Sequence, residues 1–560
     1  MKKQGFLRGS AILVGMVVIT KALGLVYKVP LANLLGGTGM GYFSAAFSVF
    51  TPIFALAVSG IPSAMARLAA ENSALGRYSN LRRQRRVAMA VYSLTGIAAA
   101  GCVMLPAGCG AVGREVRAAL VCLAPSVIFC SIMNTERGYH EGLGNMFPTA
   151  FSEIAETLFK LILGLGLALF VKKTAADSFA ADGTVFGIKC GTPADADSAA
   201  LPFIAAGAVL GSTLASAIAC GGLLIVMRIR GDGVTAKMLA EDPVCDSRRR
   251  HARALLSLSG SIALAAVVTT LTGMLDMLTI SPCLSLAIAR TPEKFSAFSG
   301  ISPDELPNFL YGSYEGLAVM LYGLVPTLTA MLGKSALPPL TESLARGDSL
   351  SASRDLRRLL TISAAAAIPC GLGMTALSGD ILRFLFAGRK PECLAAEVPL
   401  AILGVSVIFF GIALPCFTVV QAMGKPSKVT VMMLVSGVIK LVLNLALIPF
   451  LGLSGAAIAE LVSCVYVCAA AVHETLALSQ CRISLRRTYI KPVYAGVMCA
   501  VTARLSRDVL ARFPFPDRLC TAAAVVLGGG MYLLSLYLLC EDITVKRSAA
   551  SCRCDAQKAA

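Results

Sequence analysis

Nine ionisable residues interrupt the long apolar stretches of this sequence, and they are the side chains best placed to do chemistry. They are Lys21, Lys28, Glu153, Glu156, Lys160, Asp276, Glu315, Lys440 and Glu460. A charge at the centre of a bilayer costs about 2.5–3.5 kcal/mol on insertion scales, so such residues face a protein interior or an aqueous cavity.

Lys21 and Lys28 lie on one apolar stretch that carries no acid to neutralise them. Their spacing places both on the same helix face, within about 20° and about 10 Å apart along the axis. One interpretation is a cationic stripe that binds an anionic group. The other is that acids on neighbouring helices pair with both lysines.

Glu153, Glu156 and Lys160 follow helical spacing on a later stretch, and Glu156 and Lys160 have the favourable order for an ion pair one turn apart. They form either a self-paired structural triplet or part of a cavity. Lys440 occupies the equivalent place in a later stretch, where Asn444 stands instead of acids. We expect the lysines to bind substrate.

Three further acids lie towards the ends of their apolar stretches. Asp276 and Glu315 are candidates for ion coupling or for polar cavity lining, as are Glu153, Glu156 and Asn444. A solvated interfacial position is the alternative for Asp276 and Glu315. We expect Glu460 to be solvated and without a role in binding.

The composition predicts a membrane protein, so the elements that position these charges are membrane-spanning helices. The 560 residues are 56% hydrophobic and 15% charged, with a mean hydropathy of +0.75. Soluble domains average roughly 45–50% apolar and about 25% charged, so a soluble multidomain enzyme is excluded. Spanning helices need about 20 apolar residues. Fourteen are predicted: 9–31, 41–69, 87–110, 118–138, 147–171, 201–227, 254–280, 311–333, 358–378, 397–421, 429–450, 454–477, 490–508 and 518–540.

Basic residues predict the orientation of these helices. With the N-terminus inside, about 31 Lys and Arg residues fall on the cytoplasmic side against about 14 outside, which is the distribution of a multi-pass cytoplasmic-membrane protein with both termini inside. The net charge of +18 is therefore a topology signal, and nucleic acid is not an expected partner. Segments 172–200 and 281–310 are expected to be solvated outer loops.

The sequence contains an internal repeat. FKLILGLGLALF (159–170) aligns with IKLVLNLALIPF (439–450), and IPSAMARLA (61–69) with LPPLTESLA (337–345), at nearly the same separation. This predicts an all-α fold of two homologous six-helix halves, which is how secondary transporters are built. The predicted divisions are 1–230, 254–480, two additional helices in 488–541 and a cytoplasmic tail, 542–560.

The sequence lacks common motifs of catalytic and metal-binding sites. There is no HExxH or GxSxG, and Gly333-Lys334-Ser335 lacks the earlier glycine of a P-loop. The 19 cysteines are scattered, mostly in apolar runs, and predict neither a disulfide framework nor a metal site. We expect no enzyme activity, no cofactor and no metal; a coupling Na+ or H+ is left open.

Several motifs resemble the stage V sporulation protein B group of oligosaccharide flippases. They are KALGLVYKVPLANLLGGTGMGYF (21–43), SGIPSAMARLAAE (59–71), ERGYHEGLGNMFPTAFSEIAETLFK (136–160), QAMGKPSK (421–428) and NLALIPFLGLSGAAIAE (444–460). This group is related to MurJ lipid II flippases within the MATE-like MOP superfamily. The resemblance implies two bundles of six helices around a central cavity, with two extra helices.

The resemblance also implies a function. Members of the group are thought to move undecaprenyl-pyrophosphate-linked glycans across the membrane for polysaccharide, peptidoglycan or spore-cortex synthesis, and related flippases use cations on the first helix. The expected partners are membrane lipid and a lipid-linked glycan, with cell-wall synthesis enzymes as candidates, and the expected state is a monomer. The alternatives are a cation-coupled multidrug exporter of the MATE type and a non-transporting assembly scaffold.

Overall fold

The fold is known from a computed structural model that describes residues 6–110, 112–235, 238–239, 246–330, 333, 349–423, 425–479 and 485–558. It is built almost entirely of helices, as expected for a chain whose backbone groups must be satisfied within each spanning segment. Three features of the sequence lie outside the described residues: the repeat segment 337–345, Gly424, and the Lys334 and Ser335 of the discarded P-loop candidate.

The first part of the chain forms seven helices and one small hairpin. The helices are α1 (Phe6–Val58), α2 (Ile61–Ala74), α3 (Tyr78–Gly108), α4 (Arg114–Leu123), α5 (Ser126–Gly142), α6 (Phe147–Asp182) and α7 (Pro193–Arg230). Strands β1 (Thr184–Val185) and β2 (Ile188–Lys189) pair antiparallel between α6 and α7. Phe186 and Gly187 both have positive φ, as a tight hairpin turn requires.

The remainder of the chain is also helical. It comprises α8 (Arg248–Arg290), a 3₁₀ helix (Pro292–Phe298), α9 (Leu306–Ser313), a π-helical turn (Tyr314–Val319), α10 (Met320–Tyr322), α11 (Ser349–Ala376), α12 (Ser378–Leu385), α13 (Lys390–Ala422), α14 (Pro426–Leu451), α15 (Leu453–Ser479), α16 (Leu485–Leu510) and α17 (Asp517–Lys558). Helix α17 thus continues through most of the predicted tail.

The first two predicted spans lie on either side of a kink in α1. The kink is at Gly36, where φ 66° and ψ −171° are not helical, so α1 consists of two helical parts. Only glycine adopts this conformation readily, so the bend is encoded at a single residue. The second predicted span breaks at Ser59–Gly60 and resumes as α2.

Both predicted outer loops are largely helical, which corrects the sequence interpretation. Helix α6 extends to Asp182, and α7 begins at Pro193 after a capping box in which the Asp195 N–H donates to Thr192 Oγ1 and the Thr192 N–H donates to Asp195 Oδ2. Segment 281–310 holds the end of α8, the 3₁₀ helix and the start of α9. Charged and small residues in these segments favour loops, but helices longer than the membrane is thick tolerate them.

Eleven helices of the described residues are long and apolar enough to cross a membrane. One of them, Gly15–Ser73, contains the first two predicted spans, while the predicted spans 311–333 and 490–508 are not among the eleven. All fourteen predicted spans nevertheless coincide with helical segments, apart from residues 331–332, which the structure does not describe. The predicted domain boundaries and the cytoplasmic orientation of the termini stay predictions.

The chain forms two compact units. Unit 1 is Met1–Pro282 with Phe298–Gly316, and unit 2 is Cys283–Ala297 with Leu317–Ala560. In unit 1, α6 and α7 form the most extensive helix pair, and a Cβ added to Gly211 would lie 2.5 Å from the backbone of Gly164. Small residues at this contact let the two backbones approach closely, as is typical of helix pairs in membranes. In unit 2, α13 packs on α15, and α16 on α17.

Candidate substrate site

Three of the predicted lysines come together in unit 1. Helices α1 and α6 pack against each other, which brings Lys160 of α6 to the part of α1 that carries Lys28. The charges that act on Lys28 are those of Lys160, Glu315 and Lys21. We call Lys21, Lys28 and Lys160 the lysine cluster.

Aromatic rings hold the end of Lys160. Its Nζ lies 5.4 Å from the ring centroid of Tyr27 and 5.4 Å from that of Phe47, both on α1. The faces of such rings carry partial negative charge, and each contact stabilises an ammonium by about 0.5–2 kcal/mol. The rings therefore position this cation without cancelling its charge.

The lysine cluster forms no close ion pair among the described residues. Within the part of the chain that the structure describes, no carboxylate oxygen lies within 4.0 Å of the Nζ of Lys21, Lys28 or Lys160. The carboxylate that acts on Lys28 is that of Glu315, in the π-helical turn. Lys21 and Lys28 have exposed side chains, so the cluster is open to a ligand.

Glu153 and Glu156 pair with an arginine and not primarily with Lys160. Arg137, on α5, is only 6% exposed, and its guanidinium nitrogens lie 3.7 Å from Glu153 Oε1 and 3.3 Å from Glu156 Oε2. Arg137 Nε also donates to Ser152 Oγ at 2.7 Å. Arg137 is buried, and it lies within α5 because this helix continues to Gly142.

Glu156 still contributes to the surroundings of Lys160. It is one of the charges that act on that lysine, while its Oε1 accepts a hydrogen bond from Ser216 Oγ at 2.7 Å. Pairing among Glu153, Glu156 and Lys160 therefore accounts for only part of the contacts of these residues. The two acids neutralise Arg137 first, and they leave the lysine with a partial counter-charge.

The equivalent lysine in unit 2 has a different environment. Lys440 is 5% exposed, and its Nζ lies 2.5 Å from Glu460 Oε2. Glu460 Oε1 accepts hydrogen bonds from Tyr322 Oη at 3.0 Å and Cys464 Sγ at 3.4 Å. The expectation that Glu460 is merely solvated was wrong, because α15 packs against α14 and presents this acid to Lys440.

The other predicted polar residues are buried or half-buried. Asp276 on α8 is 4% exposed, so its solvated alternative is wrong; Asn444, one helical turn beyond Lys440, is fully buried. Glu315 is half-buried. Among the four candidate coupling acids, the charge of Glu315 acts on Lys28 and that of Glu156 acts on Lys160.

Unit 1 contains a second network of charged residues that the sequence interpretation did not predict. Arg85 of α3 makes two hydrogen bonds to Glu136 of α5, at 2.9 and 2.7 Å, and its guanidinium lies 4.8 Å from the ring centroid of Tyr139. Tyr139 Oη donates to Asp232 Oδ2 at 3.0 Å. The one available signal was the adjacent pair Glu136-Arg137 at the end of an apolar stretch.

Known proteins resemble this chain over nearly its whole length. Residues 6–181 match the family model of polysaccharide biosynthesis proteins, and residues 314–512 match that of the lipid II flippase MurJ. The lipid II flippase MurJ of Bacillus subtilis (strain 168) is 23% identical over 568 residues, which covers 95% of each chain. Stage V sporulation protein B of the same organism is 29% identical over 172 residues, 29% of this chain and 32% of that protein.

These matches confirm the predicted resemblance to MurJ and SpoVB proteins. Solved structures agree with this in their fold. A lipid II flippase MurJ in an inward closed conformation has a TM-score of 0.63 at 15% identity, covering 95% of this chain and 100% of that one. An inward-facing MATE multidrug transporter has a TM-score of 0.59 at 13% identity, covering 82% and 94%.

The comparisons confirm the predicted fold class. The chain is an all-helical, multi-pass membrane protein. The named relatives that it resembles over nearly its whole length include a lipid II flippase, which supports the prediction of a transporter and not of an enzyme. Which residues contact the substrate is a separate question, since one fold hosts different transported molecules.

Proposed function

We propose that the protein flips a glycan or peptidoglycan precursor linked to undecaprenyl pyrophosphate across the bacterial cytoplasmic membrane. The observation that carries this proposal is the lysine cluster of Lys21, Lys28 and Lys160, which has no carboxylate within 4.0 Å among the described residues. We infer that the cluster binds the pyrophosphate.

The electrostatics favour a multiply charged anion as ligand. Two opposite unit charges about 4 Å apart attract by about 4 kcal/mol at the effective dielectric constant typical of protein surfaces. Lys28 and Lys160 repel each other when the site is empty, so a bound pyrophosphate gains attraction to both and removes this repulsion. The two phosphoryl groups of a pyrophosphate share a bridging oxygen, and each can accept hydrogen bonds from one of two ammonium groups on neighbouring helices.

The same charges disfavour the alternative of a MATE-type exporter of cationic drugs. A cation entering the cluster would be repelled by three lysines and attracted by the half-buried Glu315. The likeness to a MATE structure concerns the fold and does not outweigh the charge of the site.

Lys440 has weaker support as a ligand-binding residue than the lysine cluster. A phosphate would have to displace Glu460, which also accepts hydrogen bonds from Tyr322 and Cys464. We assign Lys440 and Asn444 to the polar interior of unit 2. Transport would then proceed by alternating access, with Glu315 as the first candidate for coupling to Na+ or H+.

The test is complementation of bacteria that have been depleted of their own lipid II flippase. We expect Lys28→Gln and Lys160→Gln to reduce lipid II translocation by tenfold or more, whereas Lys28→Arg keeps most of it. Lys172→Gln is the matched control, because Lys172 is an exposed lysine further along the same helix, α6. All variants are compared at equal amounts of protein in the membrane.

Full translocation by Lys28→Gln together with Lys160→Gln would exclude the lysine cluster as the pyrophosphate site. Failure of the unmodified protein to support growth, combined with protection of cells from cationic drugs, would instead favour the exporter.

A further inference from the structure

A basic cavity lies at the start of α3, away from the lysine cluster. Its volume is about 500 Å³, and four of the side chains that line it are arginines: Arg82, Arg83, Arg86 and Arg248. The first three lie in the second and third turns of α3, and Arg248 is the first residue of α8. All belong to unit 1.

Two of these arginines are held in place by backbone oxygens. Arg82 donates to the carbonyl of Val234 at 3.3 Å, and Arg83 donates to the carbonyl of Asp246 at 3.1 Å. The carboxylate nearest to Arg82 is that of Asp232, at 4.0 Å, which is the limit of an ion pair. These hydrogen bonds orient the guanidinium groups and leave their charges largely uncompensated.

The other two arginines carry the free charge of the cavity. Arg86 and Arg248 are exposed, and neither forms an ion pair with any residue that the structure describes. The preference of Lys and Arg for cytoplasmic loops accounts for basic residues at a helix end. It does not account for four guanidinium groups around one concave space.

An exposed apolar face continues from the cavity along α3. Val87 and Ala90 line the cavity beside the arginines. Leu94 and Ile97 follow on the side of the helix that carries Ala90, with exposed fractions of 68% and 55%. A group bound at Arg86 therefore lies above an apolar surface that the rest of unit 1 does not cover.

We propose that this cavity binds the headgroup of an anionic phospholipid whose acyl chains lie along Ala90, Leu94 and Ile97. The phosphate accepts hydrogen bonds from Arg86 and Arg248, which present planar donor groups suited to phosphate oxygens. Basic pockets between spanning helices at the membrane surface have the chemistry that anionic headgroups require. The site is separate from the proposed substrate site, so each proposal can fail without the other.

Lipid binding can be measured with a single tryptophan, because the chain has none. The reporter is Leu94→Trp, about 12 Å along the helix from Arg86. The full-length protein is reconstituted in vesicles that contain brominated phosphatidylglycerol or brominated phosphatidylcholine, and quenching gives the relative affinity for each lipid. Val526→Trp on α17, which is 71% exposed, serves as the reporter of a site without this cavity.

We expect phosphatidylglycerol to be preferred at Leu94→Trp but not at Val526→Trp. Each arginine near the membrane surface contributes about fivefold to the binding of anionic lipid, so Arg86→Gln and Arg248→Gln each reduce the preference by about that factor. Arg86→Lys keeps most of it. Arg77→Gln is the matched control, because Arg77 is an exposed arginine at the same end of α3 and is not one of the four.

Three outcomes would overturn the proposal. Equal quenching by the two lipids at Leu94→Trp, or a preference that survives Arg86→Gln combined with Arg248→Gln, would show that the arginines do not select anionic lipid. Loss of the preference on adding millimolar inorganic phosphate at constant ionic strength would show instead that the cavity serves soluble phosphate compounds.

Discussion

The equivalent lysines Lys160 and Lys440 should respond in opposite ways to loss of charge. Removing Lys440 leaves Glu460 inside unit 2 with Tyr322 and Cys464 as its hydrogen-bond donors among the residues that the structure describes. Breaking a buried ion pair by removing one partner costs about 3–5 kcal/mol. Because the Glu460 side chain is 17% exposed and water relieves part of its charge, we take about 3 kcal/mol for Lys440→Met.

Replacing both partners should restore most of that loss. Lys440→Met combined with Glu460→Leu removes both charges and keeps the volume apolar, and such replacements are often neutral or stabilising. Lys160→Met, in contrast, loses its two ring contacts but also removes repulsion from Lys28. We expect its effect on the free energy of unfolding to stay within about 1 kcal/mol.

The assay is thermal unfolding in detergent, followed with a thiol-reactive dye that reports cysteines as they become accessible; the chain has 19. For a unit of roughly 250 residues, 1 kcal/mol shifts Tm by about 2–4 °C, so Lys440→Met should lower Tm by about 6–12 °C. Equal losses for Lys160→Met and Lys440→Met would refute the reasoning. So would a double variant as unstable as Lys440→Met alone.

Two further predictions concern packing and charge in unit 1. Gly211→Val places a side chain within 2.5 Å of the Gly164 backbone, so we expect α6 and α7 to separate at a cost of about 1–3 kcal/mol, measured as a lower Tm beside a Gly166→Val control that has open space. Arg137→Met leaves Glu153 and Glu156 without their common partner and should cost about 3–5 kcal/mol, which Glu156→Gln in the same chain should partly recover. Unchanged Tm in either single variant would contradict the corresponding contact.

Local sequence was sufficient to predict most of the helices. Apolar length is a property of a short stretch, and it placed α3, α6, α13 and α14 with errors mainly at the ends. The ends were harder because a helix that leaves the membrane no longer needs apolar residues. The continuation of α6 to Asp182 is an example.

Single residues with special backbone conformations were harder to recognise. Gly36 separates the two helical parts of α1, but it is one of 51 glycines. Nothing in its neighbours distinguishes a glycine with positive φ from one that packs inside a helix. The distinction depends on where the rest of the chain requires α1 to turn.

For the site, the sequence by itself determined which charges lie in apolar helices and that Lys21 and Lys28 share a face, because both follow from composition and helical period. Only the tertiary structure decided which charges have partners. An ion pair depends on the distance between groups on different helices, and that distance is set by how the helices pack. The repeat makes Lys160 and Lys440 equivalent in sequence, yet packing gives Lys440 a carboxylate 2.5 Å away and gives Lys160 two aromatic rings and a second lysine.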